Sequence, residues 1–108
     1  MCGICGVYQP GSDEPVGEPL LRRMLRVIHH RGPDDEGVYA EGSLGIGCRR
    51  LSIIDLPGGK QPIANEDGTV VVVCNGEIYN YAELTERLRR RGHRFATASD
   101  TEVIAHLY

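Results

Sequence analysis

Thr69-Val70-Val71-Val72-Val73-Cys74 runs straight into Asn75-Gly76-Glu77-Ile78-Tyr79-Asn80, and the reading of this stretch decides the fold. The first six residues are β-branched at five positions and show no polar alternation. That pattern predicts a strand buried on both faces. Asn-Gly between two strand-like runs is the strongest short hairpin signal. Asn80, with Glu83 three residues on, is a capping box opening a helix in which Leu84 and Leu88 form the apolar stripe. Glu83–Arg87 and Glu86–Arg90 are spaced as i, i+4 ion pairs in the favourable orientation. Gly92 stands where a helix C-terminus takes glycine. A short strand at 93–97 and a second capping box, Ser99-Asp100-Thr101-Glu102, complete this half.

Working back toward the N-terminus, Leu21, Met24, Leu25 and Ile28 mark one face of a helix from Glu18 to about His30. Arg31-Gly32-Pro33-Asp34 ends it. Strands are expected at 37–41 and 44–49, with Gly42-Ser43 as their turn. Leu51 to Asp55 is a short apolar run, and Pro57-Gly58-Gly59 reads as a turn. Residues 10–19 hold three Pro and two Gly and read as a loop. Residues 2–9 alternate well enough for a strand starting at the second residue. Strands interspersed with helices in this way give an α+β chain.

The whole is 108 residues with 12 Lys+Arg against 15 Asp+Glu, a formal charge of −3. That is room for one domain or part of one. Hydrophobic residues make up 41% and charged residues 25%, which excludes global disorder. The negative balance argues against nucleic-acid binding, and the arginines at 87, 89, 90, 91 and 94 lack interleaved aromatics, so they read as a solvated helix face. No apolar run reaches the ~20 residues that cross a bilayer, and no secretion signal is visible. A cytoplasmic protein with reduced thiols is expected. Cys2 and Cys5 form a C-x-x-C without a second pair, and Cys5, Cys48 and Cys74 read as small buried hydrophobes. The four His are scattered with no accompanying ligand set; His29 and His30, beside the Gly-Pro break, are expected to hold that loop. No Gly-rich phosphate loop occurs. The last apolar stripe, Val103, Ile104, Leu107 and Tyr108, stops without a helix-ending signal. The chain is therefore expected to be the N-terminal fragment of a longer protein.

Three features carry chemistry. Removal of Met1 makes Cys2 the N-terminal residue, and an α-amino group titrating near ~7.7–8.0 then lies beside its own thiol as a general base. Asn75 and Gly76 offer a side-chain amide and a backbone N–H to one oxygen, as an oxyanion hole requires; the alternative is a plain tight turn. Arg50 at a strand end suits a carboxylate and Asp100 in a helix's first turn suits an ammonium, so together they fit a free amino acid. The bland alternatives are an exposed strand-end charge and an acid favoured by the helix dipole. Glu77 is a further polar contact.

In order, Cys2-Gly3-Ile4, His30-Arg31-Gly32-Pro33-Asp34, Arg50-Leu51-Ser52-Ile53, Asn75-Gly76-Glu77-Ile78-Tyr79-Asn80 and Ser99-Asp100-Thr101-Glu102 resemble the glutaminase domain of class II glutamine amidotransferases. The closest resemblance, on the His-Arg-Gly-Pro-Asp form, is to glutamine-hydrolysing asparagine synthetases. It covers almost the whole chain. The resemblance implies an N-terminal-nucleophile hydrolase with a four-layer αββα sandwich, of which residues 1–108 are the N-terminal half. It implies that Cys2 attacks the glutamine side chain and that Asn75 and Gly76 hold the oxyanion. Arg50 would bind the substrate carboxylate and Asp100 its amino group, with Glu77, Leu51 and Ile53 lining the pocket. No metal or cofactor is implied within this fragment. A further domain, a homodimer, and aspartate activation by ATP and Mg²⁺ are implied for the full-length protein. Alternatives in view are an amidotransferase with another acceptor, and a non-catalytic glutamine-binding module. The isolated fragment is expected to be poorly folded and inactive.

Overall fold

In a computed structural model, residues 2–51 and 59–108 are described. The first half is built on β1 (Gly3–Tyr8), α1 (Glu18–Val27), a 3₁₀ turn at His29–Arg31, β2 (Asp35–Glu41) and β3 (Leu44–Arg50). These strands form one antiparallel sheet in the order β1-β3-β2. The two-residue Gly42-Ser43 turn fixes the β2–β3 register, with Glu41 opposite Leu44 and Asp35 opposite Arg50. β3 is central, and on its other side Gly3 lies opposite Arg49 and Tyr8 opposite Leu44.

α1 lies against all three strands. Pro19 stands in its first turn, where a missing N–H costs nothing, and Leu21 and Leu25 are fully buried. Each such leucine contributes about 1.5–3 kcal/mol of burial, so the helix is held by its stripe more than by its ends. The helix is shorter than its apolar spacing suggested, closing at Val27 before the tighter 3₁₀ turn.

The second half contains β4 (Ile63–Ala64), β5 (Val71–Val72), α2 (Tyr81–Arg90) and α3 (Glu102–Leu107). β4 and β5 pair antiparallel around the 65–70 turn, where Asn65 Oδ1 accepts the Val70 N–H and Asp67 Oδ1 accepts the Thr69 N–H. α3 packs on both β4 and β5 and on α2. Among the described residues the shortest dimension is 18 Å, enough for helix on sheet and no more.

Four local expectations are corrected. The valine run is a two-residue strand, half-buried, because only the equally short β4 pairs with it. A strand needs a partner ladder, and β-branched composition does not supply one. Asn75-Gly76 is not a hairpin turn: Gly76 lacks the positive φ that a type I′ turn requires, and the chain bends onward into α2. Residues 93–97 are loop, because the N–H groups of Ala96 and Thr97 are taken by a carboxylate at 2.7 Å each, not by a neighbouring strand. That carboxylate belongs to Glu102. Neither capping box closes as a reciprocal pair, although Ser99 Oγ does accept the Thr101 N–H at 3.3 Å. Asn80 stands at the α2 N-cap without a side-chain bond, and Glu102 reaches back to 96–97 instead of to Ser99.

Other expectations hold. α2 buries Leu88, and Glu86–Arg90 closes at 3.1 Å; Glu83–Arg87 does not pair among the described residues. Gly92 adopts φ +95°, with its N–H on Arg89 O at 3.0 Å and the His93 N–H on Leu88 O at 3.1 Å. This two-bond cap satisfies carbonyls the helix end would otherwise orphan, and only glycine reaches that φ cheaply. Most of the Leu51–Asp55 run and of the Pro57-Gly58-Gly59 turn lies outside the described residues.

Candidate active site

Cys2 leads directly into β1 and is half-buried. The register that sets Gly3 against Arg49 brings the start of β1 to the end of β3, where Arg50 sits. Arg50 lies against the buried Gly59, its Nη2 2.8 Å from where a side-chain carbon at that glycine would stand. Leu51 follows, half-buried. Ile53 lies outside the described residues.

The 74–78 segment approaches the same edge from the second half. Its fixed points are two hydrogen bonds. The Cys74 N–H donates to Gln61 Oε1 at 2.6 Å, and the Ile78 N–H donates to Asp100 Oδ2 at 2.7 Å. Between them Asn75, Gly76 and Glu77 are exposed. A side chain added at Gly76 would meet only Cys74 Sγ at 3.6 Å, an ordinary contact, so any need for glycine there comes from what approaches from outside. Asp100 lies two residues before α3, in the turn that leads into it, and is half-buried.

Electrostatics ties the two halves together. Burial first, then negative charge on Cys2, pushes the Cys48 thiol up to about 11. Arg50 acts on the same thiol in the opposite direction. The Cys74 thiol is raised by burial and then by charge on Asp100 and on Cys2. Burial raises Cys5 as well. Cys2 therefore lies near both Cys48 in β3 and Cys74, and Arg50 and Asp100 act on those same two thiols. The three other thiols are biased toward the protonated, unreactive form, and the thiolate is the nucleophile. Of the residues singled out from sequence, Cys2, Arg50 and Asp100 share this edge, with Asn75, Gly76 and Glu77 on the bend between Cys74 and Ile78.

One supporting residue was not found in the sequence, and a second was given a different role there. Arg49, 7% exposed, donates through Nε to Gly32 O at 2.7 Å, through Nη2 to Pro33 O at 3.3 Å and through Nη1 to Glu36 Oε2 at 2.7 Å. Arg22 Nη1 holds the other Glu36 oxygen at 2.8 Å. The Arg49 hydrogen bond foremost, against a smaller effect of burial, lowers the Glu36 carboxyl. Arg49 is therefore what fastens the Arg31-Gly32-Pro33-Asp34 loop under Arg50, while His29 and His30 are exposed. Gly32 permits the contact: a Cβ there would lie 2.5 Å from the backbone of Arg49 and Arg50. The second is Glu102, read from sequence as a capping-box acid and 1% exposed. It accepts the Ala96 and Thr97 N–H groups and the Thr97 hydroxyl, and meets His106 Nε2 at 3.2 Å. A buried carboxylate survives only with such partners, but the Ser-x-x-Glu spacing that names it points to a different acceptor role.

The profile of the glutamine amidotransferase domain matches residues 1–108, the entire chain. Over its full length the chain is 46% identical to asparagine synthetase (glutamine-hydrolyzing) 1 of Bacillus subtilis, and 49% identical to asparagine synthetase (glutamine-hydrolyzing) 2 of that organism. It is 46% identical to asparagine synthetase (glutamine-hydrolyzing) 1 of Arabidopsis thaliana. The chain spans 17%, 14% and 18% of these three proteins, less than a fifth of each. With the family profile matched from end to end over a fold that gathers Cys2, Arg50 and Asp100 at one edge, the chain belongs to the glutamine amidotransferase domain family.

Proposed function

We infer that this chain hydrolyses the side-chain amide of glutamine with Cys2 as nucleophile, as the glutaminase part of a glutamine-hydrolysing asparagine synthetase. The observation that carries the reading is Cys2 at the head of β1, close enough for its charge to act on both Cys48, which Arg50 also influences, and Cys74, which Asp100 also influences. Membership of the amidotransferase family and 46–49% identity to those synthetases support the substrate.

After Met1 is removed, the free α-amine of Cys2 takes the thiol proton and sulfur attacks the amide carbon. Asn75 Nδ2 and the Gly76 N–H hold the oxygen of the tetrahedral intermediate. The α-ammonium returns the proton to the leaving nitrogen, ammonia departs and a glutamyl thioester remains. Water, deprotonated by the same amine, then adds to the thioester. The C–S bond breaks, glutamate leaves and the thiol is restored. Arg50 grips the substrate carboxylate and Asp100 its ammonium, with Glu77, Leu51 and Ile53 at the rim. In the complete protein the fold is a four-layer αββα sandwich. A further domain uses ATP and Mg²⁺ to activate aspartate, which takes the ammonia through a tunnel, and the assembly is a cytoplasmic homodimer.

Cys2→Ala in the full-length protein is the test. Glutamine-dependent synthesis should fall by about 10³-fold or more, while ammonia-dependent synthesis persists. Loss of both activities, or an N-terminal mass that retains Met1 in the active enzyme, overturns the reading.

A further inference from the structure

The sequence scatters its histidines, but the fold gathers two of them. His93 sits on the C-terminal cap of α2, His106 in α3, and Glu66 in the β4–β5 turn. One ligand atom from each lies within 4.8 Å of the other two. Glu66 bridges the pair, with Oε1 3.0 Å from His93 Nδ1 and Oε2 2.6 Å from His106 Nδ1. The imidazole of His106 is fully enclosed, 0% exposed.

The decisive atom is His106 Nδ1. It is buried and makes no hydrogen bond, because its close approach to Glu66 is out of line for one. Its partner nitrogen, Nε2, faces the buried Glu102 carboxylate at 3.2 Å. With Glu102 accepting the Nε2 proton, Nδ1 carries a lone pair in an enclosed place, 2.6 Å from a Glu66 oxygen. Two acceptors so close, one of them fully enclosed, repel each other, and a cation drawn to both relieves that repulsion. The Glu102–His106 arrangement is the carboxylate–histidine pairing that fixes tautomer and ring orientation at metal sites.

We propose that Glu66, His93 and His106 form a binding site for one zinc ion, separate from the Cys2 edge. Two imidazole nitrogens and one carboxylate oxygen are ligands zinc accepts, with a fourth position left for water on the side where Glu66 meets solvent. Bonds of 2.0–2.1 Å imply tetrahedral ligand separations of about 3.3 Å, so ligand atoms already within 4.8 Å of one another need shift by no more than about 1.5 Å. The ion would clip the β4–β5 turn, the end of α2 and α3 together. α3 follows directly on the turn that carries Asp100, and Asp100 holds Ile78, so the clip would brace one wall of the proposed glutamine pocket without touching substrate.

The test uses the full-length protein with Cys2→Ala, which removes one half-buried thiol that could compete for zinc, stripped of metal by chelator dialysis. Calorimetric titration with Zn²⁺ should show one equivalent bound and a Tm raised by a few degrees. His93→Ala and Glu66→Gln, both at partly exposed side chains, should lose that equivalent and the Tm rise. Far-UV circular dichroism confirms that they remain folded. Glu102→Gln should weaken zinc binding by about 10–100-fold. No zinc uptake by the parent, or uptake unchanged in both His93→Ala and Glu66→Gln, overturns the site and leaves a proton between Glu66 and His106 instead.

Discussion

Asp100 shows how one side chain can serve two structural ends. One carboxylate oxygen accepts the Ile78 N–H at 2.7 Å and pins the end of the 74–78 bend. The other carries the proposed contact with the ammonium of a bound amino acid. Asp100→Asn keeps an acceptor for Ile78 but removes the charge. If Asp100 binds the ammonium, the glutamine KM of the full-length enzyme should rise about tenfold or more with a smaller change in kcat. An unchanged KM would confine Asp100 to a structural role. Sequence spacing was enough to nominate Asp100, because its neighbours Ser99 and Glu102 mark a helix start. It was not enough to find Arg49. An arginine in a run Cys48-Arg49-Arg50 gives no sign of which member turns inward; only the β3 pleat, with Arg49 opposite Gly3 and Glu36, decides it.

At the scale of elements, α3 depends on a buried acid that binds the chain just before it. Burial by itself raises the Glu102 carboxyl, but hydrogen bonds from Thr97, the Ala96 N–H and His106 outweigh it, and the net position is below the ordinary carboxylate range. A carboxyl lowered in the folded state stabilises above its unfolded value, about 4.3, and that contribution disappears as pH falls through the folded value. Glu102→Gln should therefore lower stability at neutral pH by about 2–3 kcal/mol and flatten the loss of stability below about pH 4.3. Urea unfolding across pH 3–7, as a round choice of range about that value, measures both effects. An unaltered acid limb would mean that other carboxylates govern it, with Glu36, lowered chiefly by Arg49, the next candidate. The 93–97 expectation failed for this same reason: alternation cannot reveal that a side chain six residues on will satisfy the backbone.

At the scale of the whole molecule, the described residues form a helix-backed three-stranded sheet beside a smaller unit of two short strands and two helices. Val70 to Cys74 are half-buried where the composition calls for burial on both faces, and Ile4, Val27 and Leu107 are exposed by half or more. Apolar surface left open on this scale disfavours the isolated state. Residues 1–108 expressed alone should show a glutaminase kcat/KM at least about 10²-fold below that of the full-length protein, together with a shallow thermal transition. Turnover comparable to a complete enzyme would sink that expectation. Among the described residues no helix is long and apolar enough to cross a membrane.

The sequence by itself determined the elements whose signals are local. β1, α1, the Gly42-Ser43 turn with its two strands, and the Gly92 cap follow from periodicity and from glycine's access to positive φ, both properties of a few neighbouring residues. It also nominated Cys2, Asn75, Gly76, Arg50 and Asp100, because their residue types suit one chemistry. Tertiary structure alone decided what depends on partners distant in the chain. It reduced the valine run to two paired residues, turned Arg49 rather than the histidines into the anchor of the 31–34 loop, and put Glu102 under residues 96–97. It also brought Glu66 within reach of His93 and His106, residues 27 and 40 positions away. Strand pairing and buried-charge satisfaction are set by which groups meet once the chain has packed, and no local pattern encodes that meeting.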